Sequence, residues 1–164
     1  GIGGNTIAYA MGGKKVIAVE VDAHRFELLR ENVSKALKSG ANDVTLIHGD
    51  FLEVVKKPSP TRYDSIYLDL PWGGSPARVD KFKLSDLGVD GPQFIRAALE
   101  RCNSVVLKLP HNFDTSELAQ FDATTKTYEI DEGFNDGRPN VILGVLHTKA
   151  PALPFFPDDP SPAG

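Results

Sequence analysis

Four short groups of residues have types and spacings that could do chemistry. Gly1-Ile2-Gly3-Gly4 has little side chain, so its backbone can approach a ligand closely. Glu20 follows about one strand and one helix later, where an acid in doubly wound folds accepts hydrogen bonds from two ribose hydroxyls. Together they suit a nucleoside-type cofactor. Asp50-Phe51, after His48-Gly49, offers an acceptor for an adenine amino group beside an apolar cover for the ring. Asp50 also reads as the cap of a short helix through Val54, and the two roles can coexist. Asp69-Leu70-Pro71-Trp72-Gly73-Gly74 sets an acid, a proline-stiffened turn and the only tryptophan in a row, a device for gripping a flat base with an exocyclic amine.

The elements that must position these groups follow from period and punctuation. The runs Val16–Glu20, Val44–His48, Ser65–Asp69 and Val105–Leu109 read as buried strands. Helical patterns separate them. Residues Ala23–Lys38 place Phe26, Leu29, Val33, Ala36 and Leu37 on one face, with Asp22 as N-cap and Gly40 as stop. Residues Pro92–Arg101 repeat the pattern, with Cys102 ending the apolar helix face as core. Alternation of this kind predicts an α/β, Rossmann-like fold with a mostly parallel, doubly wound sheet. Two further strands, Lys126–Phe134 and Val141–His147, are joined by residues 135–140 and finish the sheet as an antiparallel hairpin. The glycine turn at Gly1 is of the kind that follows a strand, so the first central strand is expected to be missing at the N-terminus.

Composition narrows the classes. The chain has 164 residues, 41% hydrophobic and 24% charged, which fits one domain at 1–149, N-terminally incomplete, and a tail at 150–164 with five prolines in fifteen residues. No run approaches the roughly 18 apolar residues of a membrane span. A single cysteine excludes an internal disulfide and a multi-cysteine metal site, and His24, His48 and His147 have no metal-ligand spacing, so no metal is expected. The 18 Lys+Arg against 22 Asp+Glu give a net charge of −4, so the chain does not announce nucleic acid through bulk charge. The serines form no nucleophile elbow.

Taken in order, Gly1-Ile2-Gly3-Gly4-Asn5-Thr6-Ile7, Val16-Ile17-Ala18-Val19-Glu20-Val21-Asp22, Gly49-Asp50-Phe51, Pro71-Trp72-Gly73-Gly74 and Leu109-Pro110-His111-Asn112 resemble successive blocks of the trimethylguanosine synthase family. These are S-adenosylmethionine-dependent class I methyltransferases that modify the 2-amino group of the 7-methylguanosine RNA cap. The resemblance is collinear from Gly1 to about His147 and excludes the tail. It implies S-adenosyl-L-methionine as cofactor and S-adenosyl-L-homocysteine as product, held by Gly1, Gly3, Gly4, Asn5, Thr6, Glu20, Val21, Asp50, Phe51 and Asp69. Catalytic positions are Asp69, Leu70, Pro71 and Trp72. The methylated guanine stacks on Trp72, and Lys108, His111 and Asn112 contact substrate. The implied partners are capped small nuclear or nucleolar RNA and proteins of RNA–protein particles, with no membrane. The chain is expected to act as a monomer in the nucleus (nucleolus), the cytoplasm or both.

Two positions depart from the family pattern. Asp69-Leu70 stands where the family has Ser-Pro before Pro-Trp, and His111 stands where the family has arginine. The first resembles the Asp-Pro-Pro-aromatic signature of amino methyltransferases acting on adenine or guanine, which leaves that reaction open as an alternative. The second weakens an expected cap-phosphate contact, for which Lys108 is near enough to compensate. A non-catalytic cofactor- or cap-binding module is a further alternative. A nicotinamide dehydrogenase explains least, since it gives Asp69–Trp72 no task.

Overall fold

The computed structural model describes residues 1–37, 43–57, 62–73, 79–130 and 141–149. Gly40, Gly74, the hairpin loop 135–140 and the tail 150–164 lie outside the described residues. Two compact units are present, Gly1–Lys57 and Pro58–Gly164, and the described strands form a two-stranded and a four-stranded sheet. Within them Val16–Glu20 pairs in parallel with Val44–His48 and Tyr63–Leu68 with Cys102–Pro110, and Val141–Thr148 pairs antiparallel with Cys102–Pro110 and Ala123–Ile130, as expected of a parallel sheet finished by a hairpin.

The first unit runs α1 (Gly4–Met11), β1 (Val16–Glu20), α2 (Ala23–Leu37), β2 (Val44–His48) and α3 (Phe51–Lys56). β1 and β2 pair in parallel from Val16↔Val44 to Glu20↔His48, which aligns the carboxyl ends of both strands. Leu29 and Val33 of α2 are buried, whereas Ala36, expected on the same face, is exposed. The opposite face is solvated, with Lys35 paired to Glu31 at 2.6 Å one turn away.

The second unit runs β3 (Tyr63–Leu68), α4 (Gly91–Leu99), β4 (Cys102–Pro110), β5 (Ala123–Ile130) and β6 (Val141–Thr148), in the sheet order β3-β4-β6-β5. One face buries Leu68, Val105, Leu107, Leu109, Ile142 and Leu146, and α4, packed against β4, buries Ile95 and Ala98. Asp90 caps α4 by accepting from the Gln93 N–H at 3.0 Å, and Pro92 lies in its first turn. Arg62 closes the other end, donating to the carbonyls of Glu100 (3.1 Å) and Cys102 (2.6 Å).

Several boundaries differ from the sequence expectation. β3 begins and ends earlier, so Asp69 lies just beyond it. β5 begins at Ala123, three residues before the expected Lys126, because its antiparallel register with β6 starts at Ala123↔Thr148, and the expected end at 131–134 lies outside the described residues. Cys102 opens β4 instead of closing the helix before it, and the chain turns at Glu100 and Arg101. It is fully buried as expected, its thiol donating to the Ala98 carbonyl at 3.1 Å, and burial pushes that thiol up to about 11.

Candidate active site

In the first unit, the glycine turn opens α1 and Gly3 is its N-cap at φ 106°, a conformation that favours glycine. Gly3 is buried, and a Cβ there would stand 3.0 Å from Leu29 Cδ1, so the packing of α2 accounts for this glycine. Gly4 is different: a Cβ there would meet nothing within 4 Å. The Ile7 N–H bonds back to the Gly3 carbonyl at 2.9 Å, and helix geometry leaves the preceding amides, those of Gly4, Asn5 and Thr6, pointing outward as donors.

Glu20 ends β1 and is only 8% exposed. Its carboxylate takes hydrogen bonds from the Gly1 nitrogen and, at 2.8 Å, from the Asp22 N–H. Burial pushes its pKa up, while the Asp22 N–H bond and the nearby charge of Arg25 pull it down. The apolar Val21 beside it is 65% exposed. A fixed carboxylate with an exposed apolar neighbour at a strand's carboxyl end fits a ribose diol beneath a purine. Asp22 caps α2 as anticipated, accepting from Arg25 N–H at 2.8 Å. Asp50 is half-buried and caps α3, its Oδ1 accepting from Leu52 N–H at 2.6 Å, so one of its two oxygens is committed to the helix. Phe51 is the first residue of that helix.

Two positioning residues in this unit were not singled out from sequence. Asn32 of α2 donates from Nδ2 to the Ile2 carbonyl at 2.9 Å and so ties the glycine turn to the helix. Its signal was a polar amide between Leu29 and Val33, close to the apolar stripe. His48 stacks on Phe26 with centroids 5.0 Å apart and places Nε2 3.2 Å from the Val21 carbonyl. It fixes the chain just after Glu20.

In the second unit, Asp69 is exposed immediately after β3, Leu70 is half-buried and Pro71 exposed. The Pro71 carbonyl accepts from the Gly88 N–H at 2.7 Å. Trp72 is half-buried, and its indole Nε1 is buried with no hydrogen-bond partner among the described residues. An indole N–H ordinarily finds an acceptor when buried, so this donor is one a ligand could satisfy.

Lys108 is half-buried on β4 opposite Leu143, and His111 is exposed in the turn after β4. Asn112, expected on substrate, donates from Nδ2 to the Val79 carbonyl at 2.8 Å, and its own carbonyl accepts from Phe82 N–H at 2.9 Å. The structure thus gives Asn112 a task in holding residues 79–82. The candidate residues fall into two sets: Gly1 to Phe51 in the first unit and Asp69 to Asn112 in the second.

Residues 1–142 match the sequence model of a family described as RNA cap guanine-N2 methyltransferase. The chain belongs to that family. This RNA cap guanine-N2 methyltransferase family member has the class I methyltransferase fold, as its likeness to solved structures shows. The methyltransferase domain of bacterial CtHen1-C superposes with a TM-score of 0.62 at 12% identity, covering 92% of this chain and 86% of that one. A protein of Porphyromonas gingivalis W83 described as a methyltransferase gives 0.61 at 22% identity, over 84% of this chain and 32% of its own. The glycopeptide N-methyltransferase MtfA, solved with sinefungin, gives 0.55 at 15% identity, over 92% and 78%. The fold is thereby that of a methyltransferase. No helix among the described residues is long and apolar enough to cross a membrane.

Proposed function

We infer that this methyltransferase uses S-adenosyl-L-methionine to methylate the 2-amino group of a 7-methylguanosine RNA cap, releasing S-adenosyl-L-homocysteine. The family supports the reaction, and Trp72 carries the substrate: a half-buried indole whose N–H has no partner among the described residues, in the loop that follows the exposed Asp69. A 7-methylated purine is cationic, and an indole face attracts a cation while stacking on it. An acidic chain can select such a cap without a broad basic surface.

When bound, the cofactor supplies an electrophilic methyl on a sulfonium. The first unit's residues hold its nucleoside: Glu20 accepts from the ribose hydroxyls, Val21 and Phe51 cover the adenine, and the second oxygen of Asp50 accepts from the adenine amine. The α1 amides at Gly4, Asn5 and Thr6 face the remaining polar groups. In the second unit the Asp69 carboxylate and the Leu70 carbonyl accept the hydrogens of the 2-amino group. That helps a lone pair delocalised into the ring to become available. Strong general-base catalysis is unnecessary beforehand, since the amine grows acidic only as it is alkylated, when Asp69 or water takes the proton. Positioning therefore dominates the rate. We assign the cap phosphates to Lys108, half-buried on β4, with His111, exposed in the turn after it, a weaker contact than an arginine would make.

In this reading residues 1–149 are the catalytic domain and 150–164 a Pro-rich tail. The partner is capped small nuclear or nucleolar RNA, with proteins of its particle, and the chain works as a monomer in the nucleus (nucleolus), the cytoplasm or both. The deciding experiment is transfer of a labelled methyl to capped and uncapped RNA, followed by digestion to nucleosides. Label on N2 of 7-methylguanosine supports the reading. Label on adenine or internal guanine favours the alternative suggested by Asp69-Leu70, and cofactor binding without transfer makes the chain a binding module.

A further inference from the structure

We propose that Gly73 and Gly88 form a backbone clasp that sets where the Trp72 indole lies, which makes both glycines positioning residues for base binding. The link to base binding rests on the reading that Trp72 receives the base; the clasp itself rests on geometry alone. Gly73 has φ 64°, and a Cβ there would stand 2.5 Å from the Asp86 carbonyl oxygen, 3.1 Å from the Gly88 nitrogen and 3.2 Å from the Leu87 carbonyl carbon. All three are backbone atoms, so no side chain can swing aside. Gly88 faces it from the other strand of the clasp: its N–H donates to the Pro71 carbonyl at 2.7 Å, and a Cβ there would stand 3.3 Å from Gly73 Cα. Trp72 is therefore held on both sides in sequence, at Pro71 by a hydrogen bond and at Gly73 by contact.

The clasp is anchored. Asp86 accepts from the Lys83 N–H at 2.8 Å, and the Leu84 N–H donates to Glu117 Oε2 at 2.6 Å. Phe82 bridges to Phe113, its N–H donating to the Asn112 carbonyl (2.9 Å) and its carbonyl accepting from Asp114 N–H (2.8 Å). The segment gripping Trp72 is thus fixed to the turn after β4, the turn that carries His111. Fitting a methyl at Gly73 requires the loop to move by about 1 Å, the gap between 2.5 Å and the 3.4 Å at which ordinary contact begins. Stacking and in-line transfer are sensitive to shifts of that size.

The test uses the full chain with Gly73→Ala, Gly88→Ala and, as a control for the strain of a positive φ elsewhere, Gly13→Ala, where φ is 73° and a Cβ would meet nothing within 4 Å. Trp72 is the only tryptophan, so its fluorescence reports directly on the loop. Without any ligand, the clasp variants should shift the emission maximum and acrylamide quenching of Trp72, while Gly13→Ala leaves both unchanged. With 7-methylguanosine triphosphate as probe, both clasp variants should bind at least about tenfold more weakly while their affinity for S-adenosylhomocysteine stays at the wild-type value. Gly88→Ala, the milder change, keeps the test open if Gly73→Ala fails to fold. Folded Gly88→Ala with wild-type emission and quenching overturns the clasp. A wild type that ignores the cap probe overturns the cap reading instead, and the ligand-free emission still decides the clasp.

Discussion

Gly3 lies against Leu29 so closely that a Cβ on Gly3 would stand 3.0 Å from Leu29 Cδ1, with Val33 Cγ2 at 3.7 Å. The first glycine with a structural demand in the turn is thus there for α2, while Gly4, one residue later, has open space where a side chain would go. Leu29 Cδ1 is the end of a flexible side chain and can yield; the φ of 106° cannot. Gly3→Ala should therefore cost about 1–2 kcal/mol of stability, read as a lower urea midpoint. Gly4→Ala should leave stability nearly unchanged and weaken S-adenosylhomocysteine binding. The reverse pattern would exchange the roles of the two glycines.

Glu20→Gln keeps the acceptor for the Asp22 N–H, which bonds Oε1 at 2.8 Å, while removing the charge. Loss of charge-assisted bonds to ribose should weaken S-adenosylhomocysteine binding by roughly 1–3 kcal/mol in calorimetry. An unchanged affinity would remove Glu20 from the ribose site.

The strand bounds of β1 and β2 were legible to the residue because β-branched runs are cut by Lys14-Lys15, Asp22 and Gly49, all local signals. Asp22 and Asp50 were legible as caps for the same reason. The segment 79–90 was not. Its anchors are an Asn112 amide, a Glu117 carboxylate and a Phe82↔Phe113 bridge, each some thirty residues distant in sequence, and no periodicity announces such ties. β5 was misplaced by the same cause, since its start is set by register with Thr148 and not by its own composition. In the site, residue types and order were readable, but the burial of the Trp72 N–H and the pinning of its loop depend on that non-local segment.

Asp114 gives the anchoring segment an acid sensitivity. The Ser116 hydroxyl (2.6 Å) and Ser116 N–H (3.2 Å) both donate to its Oδ1, and with Lys81 nearby they hold its pKa below the ordinary value. A depressed carboxylate contributes stability that is present above its unfolded pKa and lost as pH falls through the folded one. The contribution should be full at pH 7 and fade below about pH 4. Urea unfolding of Asp114→Asn against wild type should show a deficit at neutral pH that shrinks at pH 3. A deficit independent of pH would mean the asparagine is harmful for its shape alone.

Cys102 should be inert in the folded protein. Its thiol is pushed from 9.0 to about 11, which leaves about a hundredfold fewer thiolates, and the group is fully buried. Labelling by a disulfide reagent at pH 8 should be at least that much slower than in urea, and should track opening of the segment joining α4 to β4. Rapid labelling without denaturant would place local opening at that helix–strand junction.

Trp72 divides methyl transfer in general from cap methylation in particular. Its indole is half-buried, its N–H lacks an acceptor among the described residues, and its loop is pinned at Pro71 and Gly73. If the free face stacks on a cationic 7-methylguanine, Trp72→Ala should cost on the order of 1–3 kcal/mol of cap binding and leave S-adenosylhomocysteine affinity intact. Trp72→Phe keeps a face but lacks the N–H, so it should recover part of the loss; the part it fails to recover includes whatever the indole N–H contributes. Wild type should also prefer a 7-methylated cap to an unmethylated one, because methylation supplies the charge that the ring face attracts. Equal binding of both caps, with cofactor affinity falling alongside cap affinity in the alanine variant, would make Trp72 a packing residue. The adenine-type reaction suggested by Asp69-Leu70 would then be the better account of the second unit.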